Sequence, residues 1–200
     1  LLNRAAWIDG LGLLVKSATI FPGNGDRGLP SVNGGASLYD DQTGELQAVI
    51  DFHVLTKWKT AADSLLAAIK LAPPKVEKIL VVGAGQVAAS MIEAYWVGFP
   101  TADLAIWNRN RGRADDLARK AGIAVATDLP SAVAEADIIA TATMSETPVI
   151  HGAWLRPGQH LDLIGAYRPD MREADDQALR RAQVFVDSRD TTLGHIGELK

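Results

Sequence analysis

The sequence has 200 residues, a net charge of −4, 48% hydrophobic residues and no cysteine. That length allows one large domain or a domain with part of another, and the hydrophobic share excludes wholesale disorder. The missing cysteine excludes disulfides, thiolate metal sites and a cysteine nucleophile, and accords with a reducing, cytoplasmic setting. The weakly acidic balance argues against a phosphate-backbone binder. No apolar run reaches the roughly 18 residues of a membrane helix, and no leader-like segment opens the chain. Neither nucleic acid nor membrane is therefore expected as a partner. The chain opens Leu1-Leu2-Asn3 instead of with methionine, which reads as a truncated start.

Residues 11–21 are apolar and rich in branched side chains up to the turn Pro22-Gly23-Asn24, and read as a strand. Residues 31–39 and 45–51 read as two more, joined by the turn cluster Asp40 to Gly44. Together they suggest an antiparallel meander. Residues 57–71 read as a helix dominated by alanine and leucine, with Thr56 as its cap and Pro73-Pro74 as its stop. From Lys75 the rhythm changes to strand, helix, strand. Strands are expected at 78–85, 103–108, 123–126, 137–143, 160–166 and 183–188, with helices at 86–98, 111–121, 131–136 and 173–182. Such alternation predicts an α/β domain with a mostly parallel, doubly wound sheet.

The sharpest local signal is Gly83-Ala84-Gly85-Gln86-Val87-Ala88, of the form GxGxxA, between a strand and a helix. Gly83 permits the tight turn, Gly85 lets the backbone approach a pyrophosphate, and Ala88 lets the helix pack close to the sheet. The helix start offers free N–H groups and a positive dipole end to phosphates. At the end of the second strand, 25 positions after Gly83, an NAD site usually places a carboxylate for the ribose 2′-hydroxyl. Here Asn108 stands there, followed by Arg109, Arg111 and Arg113. A guanidinium suits a 2′-phosphate, because its planar fork engages two oxygens and keeps its charge. NADP(H) is thus expected over NAD(H), with Arg109 the first candidate reader; the bland reading is a solvated helix start whose arginines are balanced by Asp115 and Asp116. No histidine pair has metal-ligand spacing, so no metal site is expected.

Six stretches, GLGLLVKSATIFPGN (10–24), LTKWKTAADSLLAA (55–68), VVGAGQVA (81–88), WNRNRGRA (107–114), ADIIATAT (136–143) and LIGAYRPDMREAD (163–175), run in the order of one family. By them the chain resembles the ornithine cyclodeaminase/μ-crystallin family over nearly its whole length. The resemblance implies a homodimer with a Rossmann domain inserted in a second, α+β domain for substrate binding and dimerisation. On this reading residues 1–74 belong to the substrate domain, 75–188 form the NAD(P)-binding domain, and 189–200 begin the return; an N-terminal piece and the rest of the return are missing. Members act on small amino acids or cyclic imines with a nicotinamide cofactor.

The resemblance also assigns residues. Lys16 matches the lysine beside the substrate carboxylate. Lys59 matches the usual arginine of the RTAA motif, which is KTAA here; charge is kept but the two-pronged grip is lost. Tyr167 stands where cyclodeaminases carry an aspartate that assists imine hydration and ring closure, and tyrosine is no carboxylate base near neutral pH. That departure favours plain hydride transfer, with Tyr167 either packing beside the nicotinamide or taking a polar, proton-donating part. The cofactor set comprises Gly83, Gly85, Gln86, Val87, Asn108, Arg109, Arg113, Thr141, Thr143 and Gly165. His195 has no assigned role. The expected function is an NADPH-preferring ketimine reductase acting on a pyrroline-2-carboxylate-like imino acid. The alternatives are an ornithine cyclodeaminase that forms proline and ammonia, and a non-catalytic protein that binds NADPH and a small ligand.

Overall fold

The structure, a computed structural model, describes residues 1–200 except Ser31, Asp187 and Lys200. The chain divides into two compact units, Leu1–Lys59 and Thr60–Lys200.

The first unit is the expected meander with one strand more. Strands β1 (Leu2–Ile8), β2 (Gly12–Ile20), β3 (Val32–Tyr39) and β4 (Leu46–Asp51) pair antiparallel in chain order. Two of its turns are braced by carboxylates. Asp40 accepts the backbone N–H groups of Gln42 and Thr43 at 2.9 and 2.8 Å, and Asp41 accepts that of Gly10 at 2.6 Å. These bonds are what aspartate contributes in turns.

Helix α1 (Phe52–Leu71) starts five residues before the expected position. Thr56 therefore lies inside the helix and does not cap it. Asp51 does, accepting from His53 N at 2.8 Å and Val54 N at 3.1 Å. The physical reason is that a carboxylate at the strand's end satisfies two otherwise orphaned donors at once. The second half of α1 belongs to the second unit. Ala61, Ser64 and Ala68, spaced three and four apart on one face, are each 1% exposed or less.

The second unit holds a parallel sheet of order β7-β6-β5-β8-β9, made from β5 (Lys78–Val82), β6 (Asp103–Trp107), β7 (Ala124–Val125), β8 (Ile138–Thr141) and β9 (His160–Leu163). Helices α2 (Gln86–Gly98), α3 (Arg111–Ala121), α4 (Leu129–Glu135) and α5 (Asp176–Arg181) connect or follow the strands, and a short α6 spans Arg189–Thr192. One face of the sheet buries Ile79, Val81, Ile106 and Ile138 with residues of α1, α2 and α3. The other buries Leu80, Val82 and Ile139 with Val133 of α4 and Ala178 of α5. Successive residues of β5 thus point into two different cores, which is why its sequence is a continuous apolar run.

Two expectations need correction. Residues 183–186 form no strand: Val184 and Phe185 are exposed and meet no ladder partner among the described residues; Asp187 lies outside them. Strand propensity alone does not supply a neighbour to pair with. The helix expected over 173–182 begins only at Asp176, because Asp175 caps it by accepting from Ala178 N at 2.9 Å. Glu173 and Ala174 are held beside Val149 and Ile150 instead.

Candidate active site

In a parallel sheet all carboxyl ends share one edge, and the chain leaves β5 toward β6 on one side while β8 lies on the other. That reversal opens a crevice beyond the carboxyl end of β5. Val82, the last residue of β5, pairs with both Trp107 and Thr141, and Thr141 pairs with Leu163, so the four strand ends are level. Gly83, Asn108, Thr143 and Gly165 all lie just past this edge.

Gly83 has φ +121°, and a Cβ there would come within 2.5 Å of the Ala142 carbonyl oxygen. Only glycine fits. Gly85 is different: a Cβ there would have nothing within 4 Å, so its missing side chain leaves open space before the first turn of α2. Gln86 and Val87 form that turn, and Ala88 behind them is completely buried. No side chain caps α2, whereas α3, α4 and α5 are capped by Asn110, Asp128 and Asp175. The turn therefore presents unsatisfied N–H groups at a backbone that a ligand can approach closely, an arrangement that fits a pyrophosphate.

At the end of β6, Asn108 Nδ2 donates to Asn110 O at 2.8 Å, and Asn110 Oδ1 accepts from Arg113 N at 3.3 Å. The first side-chain amide braces the turn and the second caps α3. Arg111 lies 3.6 Å from Asp115, and Asp116 is engaged by Arg119 at 3.2 Å. Arg109 and Arg113 are exposed and form no ion pair among the described residues. The balancing of arginines by the two aspartates thus extends to Arg111 and leaves two guanidinium groups for an anion.

Thr141, Thr143 and Gly165 are brought together, but by a residue that the sequence reading passed over. Glu173 is completely buried. Its carboxylate accepts from Thr141 Oγ1 at 2.7 Å, Thr143 N at 2.6 Å, Thr143 Oγ1 at 2.7 Å and Gly165 N at 2.7 Å. Thr141 is itself fully buried, with its hydroxyl directed at Glu173. In the sequence Glu173 is one of several charges in RPDMREADD, where nothing local distinguishes it from a solvated residue.

A second buried group lies on β9. Asp162 accepts from Ser64 Oγ and, at 3.3 Å, from Tyr95 OH, while those two hydroxyls lie 3.0 Å apart. Burial pushes the Asp162 carboxyl up to about 6, against the pull of the two hydroxyls, and the nearby Glu173 charge adds to the rise. The Tyr95 phenol is raised too, by burial first and by Asp162 next.

In the first unit, Lys16 sits on an interior strand, paired with Arg4 of β1 and Ala36 of β3. Its Nζ donates to Thr56 Oγ1 at 3.4 Å and lies 4.7 Å from the centre of the Phe52 ring. Burial first, then the charges of Lys59 and Arg4, lower its pKa. The charges of Lys59 and Arg4 thus both bear on Lys16, and an anion beside it would be favoured. Arg4 was not anticipated, because β1 was not recognised as a strand.

Tyr167 is 64% exposed, with the Arg168 guanidinium 5.8 Å from its ring centre. Arg168 in turn pairs with Asp170 at 2.9 Å. His195 is exposed in a turn near the end of the described chain. Among the described residues no group of three or more acidic or histidine side chains is placed to hold a metal, and no helix is long and apolar enough to cross a membrane.

This geometry can be set beside known proteins. The Delta(1)-pyrroline-2-carboxylate reductase of Paracoccus denitrificans is 51% identical over 205 residues, which cover 100% of this chain and 65% of that protein. The ketimine reductase mu-crystallin of Mus musculus is 36% identical over 189 residues, covering 94% of this chain and 60% of that one. The chain therefore spans just under two thirds of these relatives. The solved structure of Thermococcus litoralis Delta(1)-pyrroline-2-carboxylate reductase in complex with NADH and L-proline is similar with a TM-score of 0.82 at 25% identity, over 100% of this chain and 68% of that one. Residues 9–200 match the description of one family, and so the chain belongs to the ornithine cyclodeaminase/mu-crystallin family.

Proposed function

We propose that this chain belongs to an NADPH-dependent reductase that converts a small cyclic imino acid, of the pyrroline-2-carboxylate kind, to the amino acid. The observation that carries the reading is the opening at Gly85 before the uncapped start of α2, at the switch point of the sheet. The name of the P. denitrificans relative supplies the substrate class.

In this reading Gly83, Gly85, Gln86 and Val87 receive the pyrophosphate, and Asn108, Arg109 and Arg113 hold the adenosine ribose with its 2′-phosphate. Thr141, Thr143 and Gly165 shape the nicotinamide end. Lys16 and Lys59 hold the substrate carboxylate, whose negative charge offsets the repulsion that Lys59 and Arg4 exert on Lys16. A reduced nicotinamide supplies the hydride. Fixing two reactants in one orientation contributes several kcal/mol to such a reaction, up to about 7–11 in the best cases. Tyr167 stands in place of the cyclodeaminase carboxylate and is assigned a packing or proton-donating part.

The protein is read as a cytoplasmic homodimer. The family resemblance supports the dimer, as does apolar surface such as Trp7 and Val49 exposed on the meander. The cysteine-free sequence accords with the cytoplasm.

Purified protein given pyrroline-2-carboxylate and NADPH should form proline with stoichiometric loss of NADPH absorbance. Turnover of L-ornithine to proline and ammonia without net NADPH consumption would replace this reading by the cyclodeaminase one. NADPH binding with no turnover on a panel of cyclic imines would replace it by a binding role.

The T. litoralis relative was solved with NADH, so the preference for NADPH rests on this chain's arginines. Arg109→Ala should weaken NADPH binding about tenfold or more, the worth of one charge-assisted contact, and leave NADH within about twofold. Equal losses for both nucleotides would show that Arg109 does not read the 2′-phosphate.

A further inference from the structure

Glu173 spreads its two carboxylate oxygens over two chain segments. Oε1 accepts both the N–H and the hydroxyl of Thr143, just past β8. Oε2 accepts the hydroxyl of Thr141, the last residue of β8, and the N–H of Gly165, just past β9. We propose that Glu173 is the positioning residue of this site: it holds the segments after β8 and β9 in the arrangement that receives the nicotinamide half of the cofactor. The inference rests on the nucleotide reading above and adds a residue to it.

Three observations carry the assignment. First, all four partners are donors and a carboxylate is acceptor-only, so charge and geometry match; an amide in its place would set its NH2 against two of those donors. Second, Gly165 has no room for a Cβ, which would collide with the Thr143 carbonyl and the Glu173 carboxylate. Gly165 and Glu173 are therefore mutually fitted, and the backbone past β9 touches the carboxylate directly. Third, Glu173 is itself anchored. Its carbonyl accepts from Val149 N and Ile150 N at 2.8 and 2.9 Å, and its N–H donates to Glu198 Oε1 at 2.6 Å. An apolar side chain could fill the same volume without the cost of burying a charge. What the carboxylate supplies instead is direction, since it ties two separate loops to one rigid point. Gly85 and Arg109, assigned to the adenosine half of the cofactor, take no part in these bonds. The effect of losing them is therefore expected to be lopsided.

The test compares two ligands on the full chain, NADPH and 2′-phospho-ADP-ribose, which lacks the nicotinamide. Glu173→Gln should raise the NADPH Kd at least tenfold, lower kcat for the imine at least tenfold, and leave the Kd of the fragment within twofold. Equal weakening of both ligands would mean a general structural role, and unchanged NADPH affinity and kcat would mean none; either result overturns the proposal. Should Glu173→Gln fail to fold, Thr141→Val decides. It is isosteric, buried, and removes one of the four donors. A threefold or larger loss confined to NADPH supports the proposal, and behaviour like wild type overturns it. Wild-type protein that binds NADPH but reduces no cyclic imine defeats the substrate reading alone, and the two-ligand comparison still decides for Glu173. Wild-type protein that binds neither ligand defeats both.

Discussion

Gly85→Val should leave the fold intact and lower affinity for NADPH by at least about 100-fold, or about 2.7 kcal/mol. Both halves of this expectation come from local geometry. Gly85 has φ −94° and ψ −173°, extended backbone that a β-branched residue adopts readily, and a Cβ added there would meet nothing within 4 Å. The valine methyls would stand in the space through which a pyrophosphate reaches the N–H groups of α2. Alanine at Gly83 would not separate binding from folding, because φ +121° and the Ala142 carbonyl at 2.5 Å strain the native state directly. The measurement is a fluorescence titration with NADPH beside a thermal melt. A folded Gly85→Val protein with undiminished affinity would remove the basis for placing the pyrophosphate there.

Asp162→Asn should stabilise the protein above neutral pH by up to about 3 kcal/mol and by far less near pH 4. The Asp162 carboxyl is pushed up to about 6 from an ordinary 3.8 by burial. A pKa raised on folding means that the neutral form fits the fold better. Its contribution is fully present below about pH 4 and is lost as pH rises through about 6. The difference of roughly two units, at 1.36 kcal/mol each, sets the ceiling. Asparagine keeps an acceptor and adds a donor for Ser64 and Tyr95 without ever becoming charged. Urea unfolding of both proteins at pH 4 and pH 8 reads the effect. A stability difference that is the same at both values would show that Asp162 has an ordinary carboxyl in the folded chain.

How far the sequence could be read depended on whether a feature is local. The run ILVV, the glycine turn after it and the helix over 111–121 were all legible, because burial on both faces, tight turning and helical capping leave marks within a few residues. The start of α1 was misread because FHVLT is rich in branched and aromatic residues, while the capping carboxylate of Asp51 looked like the end of a strand. Strand β1 escaped notice because all seven of its residues are exposed and show no alternation; it exists through its ladder with β2. For 183–188 the error ran the other way, since the composition of QVFV suits a strand but no neighbour among the described residues pairs with residues 183–186. Within the site, Gly83, Gly85 and Asn108 lie at adjacent strand ends, as the GxGxxA spacing suggested. Glu173 could not be found, because its partners lie 8 to 32 positions away and become neighbours only once the sheet is formed. Ser64 and Asp162, 98 positions apart, are the extreme case.

The uncapped first turn of α2 bears on how the molecule behaves in solution. Peptide N–H groups at a helix start discriminate poorly among oxyanions. If the nucleotide binds there as proposed, inorganic phosphate or sulfate in a buffer would compete for the same donors, and an apparent dissociation constant measured in phosphate would report an exchange of one anion for another instead of simple capture.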